Sequence, residues 1–296
     1  MATYSPSMIA QFSAQSAAFR FVALLAGEVS SGLVDLPAFP EVVARVKSAL
    51  SKDDVTPVMI ARVVASEAGL AARLMTMANS VIMNPSGQSI TELKTAIVRI
   101  GYNNVRTTAV AYAVGKLRQA DELQPIRREL EQLWNEATMT ATLAWAIARR
   151  APNINADEAM LAGLVHNIGK VYILSRSQRM AGAAFNVADT TAIVRDWHAN
   201  VGRAIVENWR FAPNIAAAVG EQDETDRVPR QIDMSDVLQA AVRLYRGGID
   251  AQGALQEAGL EQVGVFIRLG LDQNRIRQIA QEAAQAITTL RSALGH

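Results

Sequence analysis

The sequence predicts an all-α protein, and three observations carry that prediction. Half of the 296 residues are hydrophobic but only 5% are aromatic. Ala, Leu, Val and Ile supply the apolar content, a balance that favours helices over a β-sandwich. Apolar residues recur at helical spacing along most of the chain. No stretch shows sustained strand-like alternation, and the short Val171-Tyr172-Ile173-Leu174 run reads as a buried helix start.

The elements follow in order. Ile9, Phe12, Ala17, Phe19, Val22 and Leu25 mark a helix over Met8–Ser30, ended by Gly32. The two prolines of Leu36-Pro37-Ala38-Phe39-Pro40 exclude a helix interior. Val42, Val43, Val46 and Leu50 make one face of a helix over Glu41–Leu50. Thr56 is placed to cap the next helix and Pro57 to begin it, with the end near Val64. Gly69–Ser80 places Leu70, Leu74, Met77 and Ala78 inward. Asn84-Pro85-Ser86-Gly87 is a turn. Thr91–Ile100 is helical and stops at Gly101, after which Asn103 or Asn104 caps a helix to about Gly115.

The polar, proline-interrupted Asp121–Pro125 marks a subdomain boundary. Arg127–Arg150 is a long helix, broken by Ala151-Pro152-Asn153-Ile154. Asn155 and Glu158 form a capping box for the following helix, which Gly169 should terminate. Further helices fall at Thr191–Asn208, Asn214–Gln222, Met234–Arg246, Glu257–Leu269 and Asn274–Leu294. In the last, Ile279, Ala283, Ile287 and Leu290 form a stripe that closes the core or, alternatively, serves a homodimer.

Composition excludes several functions. There is no cysteine, so disulfides and thiolate metal sites are absent. The only histidines are His166, His198 and His296, which limits any imidazole-based site. Net charge is +1, from 29 basic and 28 acidic residues. That gives no global grip on nucleic acid or an anionic membrane. No segment reaches the ~18 apolar residues of a membrane span, and the N-terminus lacks a signal-peptide pattern, so a cytoplasmic protein is expected. No phosphate-binding loop, dinucleotide fingerprint or Ser-His-Asp set is present.

Leu161-Ala162-Gly163-Leu164-Val165-His166-Asn167-Ile168-Gly169-Lys170 resembles the G-L-x-H-D-I-G-K signature of the HD superfamily of metal-dependent phosphohydrolases, with Asn167 in place of the aspartate. Five further stretches are similar to one branch, the HDOD (HD-related output) family. They are Leu36–Pro40, Leu70–Leu74 with Ala78-Asn79-Ser80, Ala96–Gly101 with Asn103–Arg106, Leu133-Trp134, and Trp197–Gly202, in the family's order. One departure is Glu67-Ala68-Gly69, where the family has Asp-Pro. The resemblance implies an HD-domain-like helical bundle preceded by an N-terminal helical subdomain. The expected layout is an N-terminal helix over 1–27, an HDOD domain over 28–245 with its two parts meeting near 120–125, and a C-terminal helical extension over 246–296.

The resemblance also places the ligands of an active HD site. They fall at Glu136, His166, Asn167 and Val242, so only His166 keeps its residue type. A neutral amide is a poor ligand for a hard dication, and valine is none. His166 and Asn167 then read as buried polar groups. A site rebuilt from Glu136, His166, His198 and Glu221 is the alternative, with the nearest acids to Val242 at Asp233 and Asp236. Lys170 contacts substrate phosphate in the active relatives it resembles; the plainer reading is a solvated lysine at a helix end. Arg99 and Arg106 are surface arginines or the rest of an anion pocket with Lys170. Trp134, Trp145, Trp197 and Trp209 read as core. The expectation is a stand-alone, non-catalytic bacterial signalling module without cofactor or metal. It would bind a signalling protein or a small, nucleotide-like anion. The alternative is a metal-dependent phosphohydrolase acting on a nucleotide or cyclic dinucleotide.

Overall fold

A computed structural model describes residues 20–28, 30–31, 41–80, 83–179, 187–209, 211–225, 227–229, 231–248 and 263–294. Among these residues all regular structure is helical. The Leu36–Pro40 motif, most of the Met8–Ser30 helix and the start of the Glu257–Leu269 helix lie outside them.

Among the described residues the N-terminal part holds a helical stretch over 20–28, with Phe21 and Leu25 buried, and four further helices. These are α1 (Glu41–Leu50), α2 (Pro57–Val64), α3 (Ala68–Ala78) and α4 (Leu93–Arg118). Thr56 accepts a hydrogen bond from the Met59 amide at 3.3 Å, and Pro57 opens α2 as the sequence predicts. Gly101 sits inside α4 at φ 78° and ψ 160°, a conformation that only glycine adopts without strain. Gly101 therefore breaks the helix, as the sequence predicts, and a second helix follows it directly within the α4 span. Asn104 does not cap; its amide donates to the Ile100 carbonyl across the kink at 2.9 Å. A hydrogen bond from Tyr112 to Glu67 ties α4 to the start of α3, and the Arg73 guanidinium lies 4.8 Å from the Tyr112 ring centroid.

Asp121–Ile126 is a 3-10 segment whose Leu123 and Ile126 are buried. It leads into α5 (Arg127–Ala148), α6 (Ala156–Val165), α7 (Ile168–Arg179), α8 (Val187–Asn208), α9 (Pro213–Glu221) and α10 (Met234–Arg246). Only half of the predicted capping box forms at α6. Asn155 accepts from the Asp157 and Glu158 amides, but the Glu158 carboxylate accepts from Asn214 instead. Gly169 does not end the motif helix. The chain breaks at His166-Asn167, and Gly169 lies in the first turn of α7.

Two further helices follow among the described residues, the short α11 (Gly264–Arg268) and the 22-residue α12 (Gln273–Leu294). On α12, Ile276, Ile279, Ala283 and Ile287 are buried, and the helix packs against both α5 and α3. Its apolar stripe thus closes the core between the two parts of the chain. Arg150 reinforces the contact by donating to both Glu282 carboxylate oxygens, at 2.9 and 2.8 Å. No helix among the described residues is long and apolar enough to cross a membrane. Trp134 is fully in the core, whereas Trp197 is 43% exposed, contrary to its expected core position.

Candidate functional site

The site is built where α5, the α6–α7 turn and α8 approach to backbone contact. A Cβ added at Gly163 would lie 2.4 Å from the Ala141 Cα on α5. One added at Gly169 would lie 2.0 Å from the His198 carbonyl oxygen and 2.7 Å from the Gly202 nitrogen on α8. Both motif glycines are therefore required by helix packing, whatever chemistry the neighbouring residues do. This packing brings Glu136, His166, Lys170 and His198 into one polar cluster inside an apolar core.

His166 is fully buried, and its Nδ1 lies 2.7 Å from the Gly163 carbonyl. A carbonyl can only accept, so Nδ1 carries the proton and a neutral ring turns its Nε2 lone pair outward. Nε2 is 3.6 Å from Glu136 Oε1 and has no hydrogen-bond partner among the described residues. The same carboxylate oxygen lies 3.5 Å from Lys170 Nζ. Lys170 is not a solvated side chain at a helix end; its side chain is only 14% exposed. Burial pushes its ammonium below the usual lysine range, against the pull of Glu136.

A second pair stands beside the first. His198 Nε2 is 2.9 Å from Asp223 Oδ2, and Arg246 donates to Asp223 Oδ1 at 2.7 Å. Lys170 also feels the charge of Asp223, and Arg246 that of Glu136. Two carboxylates are thus matched by two fixed cations. The backbone between the pairs is held by Gln222, whose amide nitrogen donates to the His166 carbonyl at 2.9 Å and the Val219 carbonyl at 2.8 Å.

Burial would raise the Glu136 carboxyl, but His166 and Lys170 outweigh it and hold the group at about 2. Since a neutral His166 has only a lone pair to offer, Lys170 is the cation that matters near neutral pH. Burial raises the Asp223 carboxyl, yet His198 and Arg246 bring it below the usual range. Burial keeps the His166 imidazole below its ordinary range as well. In each case the unfolded chain binds more protons than the folded one as pH falls. Stability should therefore decline on acidification below about 6.5, through His166, and steepen below about 4.5, through the carboxylates. Denaturant melts from pH 7 to pH 3 should show this, with Glu136→Gln flattening the lower limb; a profile unchanged by that substitution would contradict the pairing.

The donors do not fit a catalytic metal. Such an ion needs about three protein ligands and an open position. Glu136 and His166 supply two. Asn167 is 2% exposed and lines a cavity of about 20 Å³ with Leu130, Trp134, Leu164 and Val171, and both its amide atoms lack partners among the described residues. A void of that size takes one water, which would satisfy the amide. Val242 is buried hydrocarbon on α10, on the face shared by Gln239 and Arg246. Glu221 turns away, with Oε2 2.8 Å from Arg227 Nε, in a network with Asp233 and Asp236. Among the described residues no group of three or more His, Asp or Glu side chains could hold a metal ion.

Arg99 and Arg106 do not join Lys170 in any hydrogen bond or ion pair among the described residues. Arg99 is exposed, and Arg106 lines a separate cavity beside Trp209. Sequence reasoning missed Asp223, Arg246 and Gln222. Asp223 lies two residues past Glu221, and Arg246 one helical turn past Val242, so both neighbour the motif positions along the chain.

The family model described as the HDOD domain matches residues 36–225. A solved structure of a protein provisionally named a metal-dependent phosphohydrolase, from Shewanella amazonensis SB2B, is similar at 21% identity and TM-score 0.62, covering 88% of this chain and 99% of that one. An HDOD domain protein of unknown function from Geobacter sulfurreducens is similar at 21% identity and TM-score 0.58, covering 92% and 96%. A protein provisionally named a signal transduction protein, from Marinobacter aquaeolei VT8, is similar at 20% identity and TM-score 0.59, covering 89% of this chain and 60% of that one. No curated protein matches by sequence. At these identities the likeness extends to the helical fold.

Proposed function

The chain belongs to the HDOD domain family, and from that premise we propose that it is a non-catalytic signal-transduction module that recognises a protein partner or a small anion. Its setting is the bacterial cytoplasm. One observation carries the reading. The positions that would grip a catalytic ion hold a single carboxylate, a single imidazole, an amide and a hydrocarbon, and the carboxylate already has Lys170 3.5 Å away. Two unit charges about 4 Å apart repel by about 4 kcal/mol at an effective dielectric of about 20, and a dication would meet about twice that. That repulsion cancels much of the attraction of the one carboxylate, which leaves a neutral imidazole as the other donor. Retention of the motif glycines needs no catalytic explanation, because both are fixed by backbone contact between helices.

One observation favours the alternative of a metal-dependent phosphohydrolase. His166 keeps Nδ1–H on a backbone carbonyl and leaves Nε2 unpartnered among the described residues, the arrangement that metal-ligating imidazoles use. The two readings separate in an activity assay. Full-length protein, freshly purified and supplied with Mn²⁺ or Fe²⁺, should hydrolyse neither nucleoside monophosphates nor cyclic dinucleotides above the level of a Glu136→Gln/His166→Gln variant. Metal-dependent turnover that this variant loses would overturn the non-catalytic reading.

A further inference from the structure

A second cavity, remote from the Glu136–His166 cluster, has the character of a ligand site. It lies where α1 and α4 meet the turn joining α8 to α9, and its volume is about 130 Å³. Close-packed interiors hold few voids larger than a water. An apolar cavity of about 150 Å³ is enough to hold a benzene molecule. The walls are mainly hydrocarbon, from Val43, Val46 and Val110, and aromatic, from Trp209 and Phe211. The two rings meet edge to face with centroids 6.0 Å apart, which fixes the shape of that wall.

Two cationic side chains, Lys47 and Arg106, line the same space. Arg106 is half-buried, and among the described residues no hydrogen bond or ion pair engages its guanidinium. A guanidinium beside an apolar cavity is matched by a planar anion, because its fork donates two parallel hydrogen bonds to a carboxylate. We propose that this cavity binds a small amphiphilic anion, with a hydrocarbon body near the size of one benzene ring and one carboxylate. The body fills the space against Trp209 and Phe211, and the carboxylate meets Arg106 with Lys47 adding to the local positive field.

The cavity joins the N-terminal part of the chain, through α1 and α4, to the second part, through Trp209 and Phe211. Such junctions are common ligand sites. A ligand bound here favours whichever packing of the two parts closes on it. This deepens the anion-binding half of the proposed function and rests on it for the link to signalling, but the binding itself stands or falls separately.

The test is calorimetric titration of the full-length protein with benzoate and with benzyl alcohol, its neutral counterpart. Benzoate should bind about tenfold more tightly. Arg106→Gln, a change at a half-buried position, should erase that preference while leaving benzyl alcohol binding in place. Ala44→Phe, at an exposed residue that lines the cavity, should weaken both ligands by filling the space. Absence of benzoate binding, an equal affinity for the two probes, or benzoate binding untouched by both substitutions would overturn the proposal. None of these results bears on turnover in the metal assay, so the two proposals fail independently.

Discussion

Gly169→Ala is expected to cost at least about 3 kcal/mol, at the upper end of what overpacking does, or to prevent folding. The added methyl would lie 2.0 Å from the His198 carbonyl oxygen and 2.7 Å from the Gly202 nitrogen. These are backbone atoms of α8, so no rotamer change relieves the overlap and α7 must move away from α8. That movement would also separate Lys170 from Asp223 and loosen the polar cluster. Gly220→Ala is the control. The three atoms nearest to its methyl all belong to the flexible Arg203 side chain, the closest being Cδ at 2.8 Å. The intrinsic helix gain of roughly 0.5–1 kcal/mol for Gly→Ala offsets that contact, so Gly220→Ala should be near neutral. Urea denaturation of the two variants decides the matter. Equal midpoints would show that the α7–α8 contact is not the tight backbone crossing described above.

Asp236→Ala should be comparably damaging, at roughly 3–5 kcal/mol, the cost of breaking a buried ion pair from one side. Asp236 is fully buried on α10. Its Oδ1 receives Arg268 Nη2 at 2.6 Å and Arg227 Nη1 at 3.3 Å, and its Oδ2 accepts the Asp233 amide at 3.2 Å in a capping box. Removing the carboxylate leaves Arg268 without this partner, takes one of three acids from Arg227, and removes the reciprocal half of the α10 capping box, while the Asp233 cap on the residue-236 amide remains. Because Arg268 belongs to α11, the loss should also appear as faster amide exchange in α11. Arg268→Ala should cost less, about 1 kcal/mol, since its side chain is 27% exposed and Asp236 keeps Arg227. A loss below about 1 kcal/mol for Asp236→Ala would mean that the network is solvated in practice.

These two sites show where the sequence could be read and where it could not. The helices were legible because their cues are local: Thr56-Pro57 opens α2 and Asn155 caps α6, each within one turn of the residues it serves. The break at His166-Asn167 and the start of α7 at Ile168 were not, since Gly169 has the local character of a helix stop. Its real constraint is a neighbour on α8, about thirty residues away, which periodicity cannot reveal. Gly101 is the opposite case: its break is a local backbone property, and the helix on each side meets there as the sequence predicts.

The same distinction holds at the site. The identities of Glu136, His166, Asn167 and Val242 came from motif alignment. The pairing of His198 with Asp223, instead of Glu221, came only from the geometry of α8 and α9. Glu221 and Asp223 are two residues apart at the end of α9, and their carboxylates join separate ion-pair networks. Lys170 looked like a surface lysine, because nothing in its neighbours along the chain says that α5 places a carboxylate above it.

Elemental analysis of freshly purified, full-length protein tests the central claim most directly. With two donors at the cluster and an ammonium ion already beside the carboxylate, iron, manganese and zinc should each remain far below one equivalent per chain, and His166→Gln should not change the values. One equivalent of any of these metals, lost on His166→Gln, would contradict the account.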